Sequence, residues 1–191
     1  MKTLVDKLFG LPFRGWLALI AFALFLLFFL VLFKRVTAKY QTPDEPMVPR
    51  LQRAWSGARF KQILQEWSAV NDHAAEIYKR DNLIKLDLLF PLVYSCFFAF
   101  AYAWARGVKT PANGWDYFFF LGPFCAALFD YLEDASHLYL LSGINTGAQV
   151  NSAVFPDSVV HVSTVFSYIK FFFFDIGAVA YLGALILRLF R

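Results

Sequence analysis

The sequence predicts an all-α membrane protein of about four transmembrane helices, with an amphipathic interfacial helix between the first and the second. Three observations carry this expectation. Apolar residues make up 59% of the 191-residue chain, which holds 24 Phe, against roughly 45–50% in a soluble domain. They are gathered in runs long enough to cross a ~30 Å hydrocarbon core. The one long polar stretch carries its apolar residues at helical spacing. Residues 1–191 are expected to form a single integral membrane domain, multi-pass, in a bacterial-type cytoplasmic membrane.

The first span, about 16–33, runs from Trp16 to Phe33 without a charged side chain, between Arg14 and Lys34-Arg35. Val36-Thr37-Ala38 resembles a weak signal cleavage site, but the apolar core is too long and charges separate it from that site. An uncleaved helix is the expectation. After it, Pro43, Pro46 and Pro49 keep the chain extended. Phe60, Ile63, Leu64, Trp67, Val70, Ala74, Ile77 and Tyr78 then mark an amphipathic helix over about 58–80, which either lies on the membrane surface or caps the bundle.

The second span, about 83–105, contains Pro91, which frees the carbonyl of Asp87. The third, about 115–141, contains Pro123, which frees that of Phe119. Residues 142–158 are rich in Gly, Asn, Ser and Thr, with no Lys or Arg. The fourth span, about 159–189, would be ~45 Å long as one helix, more than the hydrocarbon core needs. Late in it, Gly177, Ala180 and Ala184 form a small-residue stripe that reads as close helix packing. Ten Lys and Arg lie between Lys34 and Lys85, against three before the first span, two in the loop after the second and two at the C-terminus. This modest excess places the first loop in the cytoplasm.

Ionisable groups inside these spans are costly, ~3 kcal/mol or more each, and so mark partners, wet cavities or function. They are Asp87, Asp130, Glu133, Asp134, Asp175, Lys170, His137 and His161. Antiparallel threading puts all eight in one half of the bilayer, leaving the other half of these helices nearly dry. Helical spacing puts Asp130, Glu133, Asp134 and His137 on one face, and Asp87, Pro91, Tyr94 and Ser95 on another. On the fourth span, His161, Thr164 and Tyr168 make one stripe, and Ser163, Ser167 and Lys170 the next. Asp87, Asp130, Glu133, Asp134, His137 and Lys170 are the candidate catalytic residues. Tyr94, His161, Tyr168 and Asp175 are the candidate substrate contacts.

Clustered carboxylates raise one another's pKa, as does burial, which suits a proton donor and acceptor near neutral pH. Lys170 has a plainer reading as the cation of a structural ion pair. Glu133, Asp134 and His137 are candidate ligands for a divalent metal, because i, i+3 carboxylate–His spacing recurs in metal-binding bundles. The ligand set is thin, with only two histidines near it. Cys96 and Cys125 lie far apart in apolar segments and read as packing residues. No phosphate loop or nucleophile elbow is present, and the basic residues suit lipid headgroups rather than nucleic acid.

The expected function is binding or acid–base transformation of a lipid or isoprenoid-like substrate within one leaflet. The alternatives are a non-catalytic subunit or scaffold of a larger membrane complex, or a proton-coupled transport component. The absence of an internal repeat and the dry far half argue against transport. Expected partners are membrane lipids and other subunits, in homo- or hetero-oligomers within the membrane, and no nucleic acid.

Overall fold

The computed structural model describes residues 2–40 and 47–190. All regular structure among them is helical: α1 (Lys2–Phe9), α2 (Arg14–Leu27), α3 (Phe33–Thr37), α4 (Met47–Gln52), α5 (Gly57–Val70), α6 (Ala74–Ile77), α7 (Phe90–Arg106), α8 (Gly114–Leu140), α9 (Gly147–Ser152) and α10 (Asp157–Leu189). Two wider π turns, Phe28–Leu32 and Tyr78–Ile84, join α2 to α3 and follow α6. Two helical stretches are long and apolar enough to cross a membrane, Arg14–Thr37 and Asp157–Leu189. Helix α7, at 17 residues, is only ~25 Å long, and α8 carries four acidic residues, Asp116, Asp130, Glu133 and Asp134.

The boundaries differ from the sequence expectation where local polar chemistry intervenes. The second helix begins at Phe90 rather than about residue 83. Were the helix continuous through Asp87, the Pro91 ring would meet the Asp87 carbonyl. Instead residues 85–89 form turns, with the amides of Leu86 and Asp87 both donating to the carbonyl of Asn82 at 3.0 and 2.9 Å. Pro91 then sits in the first turn of α7, where a missing N–H costs nothing. Asp87 is therefore a turn residue, not part of a helical face shared with Tyr94 and Ser95. The amphipathic segment is also divided. Asn71 is extended and its side chain accepts from the amide of His73 at 3.0 Å, ending α5. Pro49 lies within α4 rather than in extended chain; Pro43 and Pro46 fall outside the described residues.

The chain forms two compact units. The first comprises residues 2–27, 90–128 and 169–190. Its core gathers Val5, Phe9, Ala99, Ala103, Phe120 and Ala184, and α2 packs along α7 through ring pairs such as Phe22–Phe97, 5.0 Å between centroids. Gly177 does mark a close approach, since a Cβ there would stand 2.9 Å from the Pro123 ring. The hydroxyl of Ser95 donates to the carbonyls of Pro91 and Pro123, at 2.7 and 2.6 Å. Buried Asp116 accepts from Tyr102 at 2.6 Å and from Arg106 at 2.8 Å. Gly107, at φ +71°, closes the end of α7 in a conformation that favours glycine.

The second unit comprises residues 28–89 and 129–168. Phe60, Ile63, Leu64 and Trp67 form the apolar face of α5, and all are buried in this unit with Tyr40, Tyr78, Leu141 and Val150. That face is thus buried within this unit. Helix α9, which opens with a Thr146–Gln149 capping box, is bound to the α5–α6 segment. The amide of Gly147 donates to the carbonyl of Asp72 at 2.9 Å, and Lys61 donates to the carbonyl of Asn151 at 2.7 Å.

Candidate functional site

A buried polar group sits within the aromatic core of the second unit. Its centre is a hydrogen bond of 3.0 Å between the hydroxyl of Tyr78 and Nδ1 of His137. The π turn begins at Tyr78, and α8 delivers His137 within its last turn. Both side chains are 1% exposed, and Glu133, one turn earlier on α8, is 0% exposed. The ring of Phe60 lies 5.6 Å from that of His137, and Trp67 and Tyr40 lie 5.1 and 6.1 Å from that of Tyr78. Aromatic walls exclude water and leave the enclosed polar atoms in a low dielectric.

Burial holds the phenol of Tyr78 well above its ordinary pKa, and the charges of Asp134, Asp87 and Glu133 push it further in the same direction. Tyr40 is raised for the same two reasons, burial first and then Asp87. Both phenols stay protonated across the physiological range. With Tyr78 as the donor to Nδ1, a neutral His137 ring carries its proton on Nε2. Asp87 is fixed by the amide of Asn82, which donates to it at 2.7 Å. Beside the site, Asp81 is held by three cations, Arg80 at 3.0 Å, Lys85 at 2.8 Å and Lys39 at 3.0 Å, and these keep its carboxyl below the usual range.

Four of the candidate catalytic residues therefore share one electrostatic neighbourhood. Asp87, Glu133, Asp134 and His137 all act on, or bond to, Tyr78. Asp130 is buried one turn before Asp134 on α8. Lys170 is buried, with its ammonium 5.2 Å from the Phe171 ring centroid, and belongs to the first unit, as do Tyr94 and Asp175. Tyr94 is buried among aromatics, 5.2 Å from the Phe174 ring.

Three expected substrate contacts lie elsewhere than the interior. His161 and Tyr168 are exposed and flank the ring of Trp55 at 5.8 and 5.9 Å. Asp175 is exposed on α10. The buried polar stripe of α10 is the neighbouring one, Ser163, Ser167 and Lys170. Thr164, between the two, turns inward and donates to the carbonyl of Ala54 at 2.6 Å. The residues that sequence reasoning missed are Tyr78 and Tyr40. Tyr78 sits at a position that counts as apolar in the periodicity argument and Tyr40 lies outside the periodic segments, yet tyrosine is an apolar residue that brings a hydroxyl with it.

Among the described residues, no group of three or more His, Cys, Asp and Glu side chains is arranged to hold a metal ion. The chemistry this arrangement offers is proton transfer, from a protonated phenol and an imidazole beside carboxylates. No family model, no curated protein and no solved structure matches the chain.

Proposed function

We propose that this chain is a multi-pass membrane protein that binds a lipid or isoprenoid-like molecule and acts on it by acid–base chemistry at Tyr78 and His137. The membrane part of this reading is supported by the two long apolar helical stretches. It is supported further by what their outer faces carry. Trp16 (69% exposed), Leu19, Ile20, Val179 and Leu187 are all turned away from the first unit's core. Large apolar side chains exposed along both stretches fit contact with acyl chains far better than with water.

The observation that carries the chemical part is the Tyr78–His137 hydrogen bond, enclosed by aromatic rings and flanked by the charges of Asp87, Glu133 and Asp134. A phenol kept protonated is a donor, the imidazole is an acceptor, and carboxylates nearby stabilise positive charge on the imidazole as it gains a proton. Membranes from cells producing the wild type, Tyr78→Phe or His137→Gln test this. The expected result is normal accumulation of both variants with a shared change in the lipid extract relative to wild type. Normal accumulation with an unchanged lipid extract would overturn the catalytic reading.

A second reading, a non-catalytic subunit of a membrane complex, has one observation in its favour. Tyr78, Glu133 and His137 are almost wholly enclosed by their own chain, as structural polar groups are. It predicts that both variants fail to accumulate.

A further inference from the structure

We propose that the first unit carries a binding site for one anionic phospholipid, its phosphate held by Arg14, Lys109 and Arg188 and one acyl chain lying in the groove beside them. Two adjoining concavities make this site, both formed by the first unit alone. The larger, about 590 Å³, is apolar and lined by Trp16, Leu19, Phe22, Phe97, Ala101 and Tyr181, among others. The smaller, about 390 Å³, is lined by Arg14, Lys109 and Arg188 together with Gly10, Leu11, Pro12 and Gly107. Pro12 and Trp104 line both, so the basic cleft opens directly on the groove. The larger volume falls in the range of small-ligand sites.

Charge complementarity selects the occupant. Arg14 and Arg188 come close enough to repel one another. Among the described residues neither they nor Lys109 pairs with a carboxylate. Their fixed contacts are of another kind. Arg14 donates to the carbonyl of Phe9 at 2.6 Å, and Arg188 donates to the carbonyl of Trp104 with its guanidinium 4.2 Å from the centre of that ring. Each guanidinium is thus anchored on one side and keeps further N–H groups to offer. Cations gathered without an acid are poised for an anion, and Arg suits the oxygens of a phosphate.

Sequence position supports the same depth. Arg14 opens the first apolar stretch, Lys109 lies in the turn after α7, and Arg188 is near the end of α10. Trp16 and Trp104 stand at the same mouth, as tryptophans do at headgroup level. A free phosphate would use only the cleft. An amphiphile uses the cleft and the groove together. The inference rests on the membrane reading above but not on the chemistry at Tyr78.

The test has two steps. A carbonate wash of membranes holding the full chain comes first; release into the supernatant would overturn the membrane reading and this site together. The retained protein, purified in detergent, is then titrated with phosphatidylglycerol or phosphatidylcholine of the same acyl chains and read by native mass spectrometry. The expected result is one tightly held phosphatidylglycerol. Arg14→Gln/Arg188→Gln weakens it about fivefold per cation removed, without a matching loss for phosphatidylcholine.

Lys109→Gln, in an exposed turn, and Leu19→Trp, which fills the groove from an exposed position, keep the test decisive if the arginine variant fails to fold. The first weakens only the anionic lipid, whereas the second weakens both lipids. Equal wild-type affinity for the two lipids would overturn the site. So would wild-type binding by both Lys109→Gln and Leu19→Trp. Glycerol 3-phosphate binding as tightly as phosphatidylglycerol would overturn the acyl part and leave an anion site only.

Discussion

Tyr78 keeps its proton because burial and three nearby carboxylates all oppose a phenolate. Loss of the hydroxyl in Tyr78→Phe removes one buried hydrogen bond to His137, a cost of about 1–2 kcal/mol. It also leaves a signature in pH. A free tyrosine in the unfolded chain ionises near pH ~10, whereas folded Tyr78 and Tyr40 do not. Below that pH both states hold the proton and nothing changes. Above it the unfolded state sheds protons that the folded state retains, so stability falls as pH rises. The expected result is a thermal midpoint that declines from pH 9 to 11 in the wild type and declines less steeply in Tyr78→Phe. Parallel declines in the two proteins would place Tyr78 in contact with solvent. Of the groups at this site, the acids and His137 were legible in the sequence, since charge in an apolar run is conspicuous. Tyr78 was not, because its hydroxyl is invisible to a pattern of apolar spacing.

Helix α5 is held where its first residue meets the start of α10 and the residues just before it. The amide of Gly57 donates to the Asp157 carboxylate at 2.6 Å, and a Cβ on Gly57 would stand 1.9 Å from the carbonyl oxygen of Phe155. Backbone cannot yield as a flexible side chain does. Gly57→Ala therefore separates the two segments, at about 1–3 kcal/mol or more. Limited proteolysis should find new cleavage around residues 53–57 and 153–157, with the first unit's segments unaffected. An unchanged digestion pattern would mean that the close approach is dispensable. The elements themselves were largely readable. Periodicity and apolar runs located α5, α7, α8 and α10, and the proline at position 91 announced a disturbance at Asp87. Its sign was misread, because a proline can start a helix as well as strain one. The π turns and the Asn71 break had no such signal. They depend on which carbonyl or side chain each amide reaches, and only the folded chain decides that. Of the two stripes read on α10, Ser163, Ser167 and Lys170 are buried with Thr164, while His161 and Tyr168 are exposed.

Two observations support the proposed membrane residence of the chain, the length of its apolar helices and the side on which their bulky residues are left. Ile20 and Val179 are 57% and 69% exposed, each in one of the two stretches long enough to cross a bilayer. In water each would leave a large apolar surface uncovered, at ~25 cal/mol per Å². In a bilayer each meets acyl chains at no such cost. Thr110, in the turn after α7, is exposed too, and under the membrane reading the charge bias expected from the sequence would leave its loop outside the cytoplasm. Single cysteines at these positions separate the alternatives once Cys96 and Cys125 have been replaced by alanine. Intact cells treated with a membrane-impermeant maleimide should label Thr110→Cys and leave Ile20→Cys and Val179→Cys unmodified. After solubilisation in dodecyl sulfate all three should react. Labelling of Ile20→Cys and Val179→Cys by the impermeant reagent in washed membranes would mean that water, not lipid, covers these faces. The lipid reading would fall with it. Labelling of Thr110→Cys only after permeabilisation would reverse the orientation and leave the membrane reading standing.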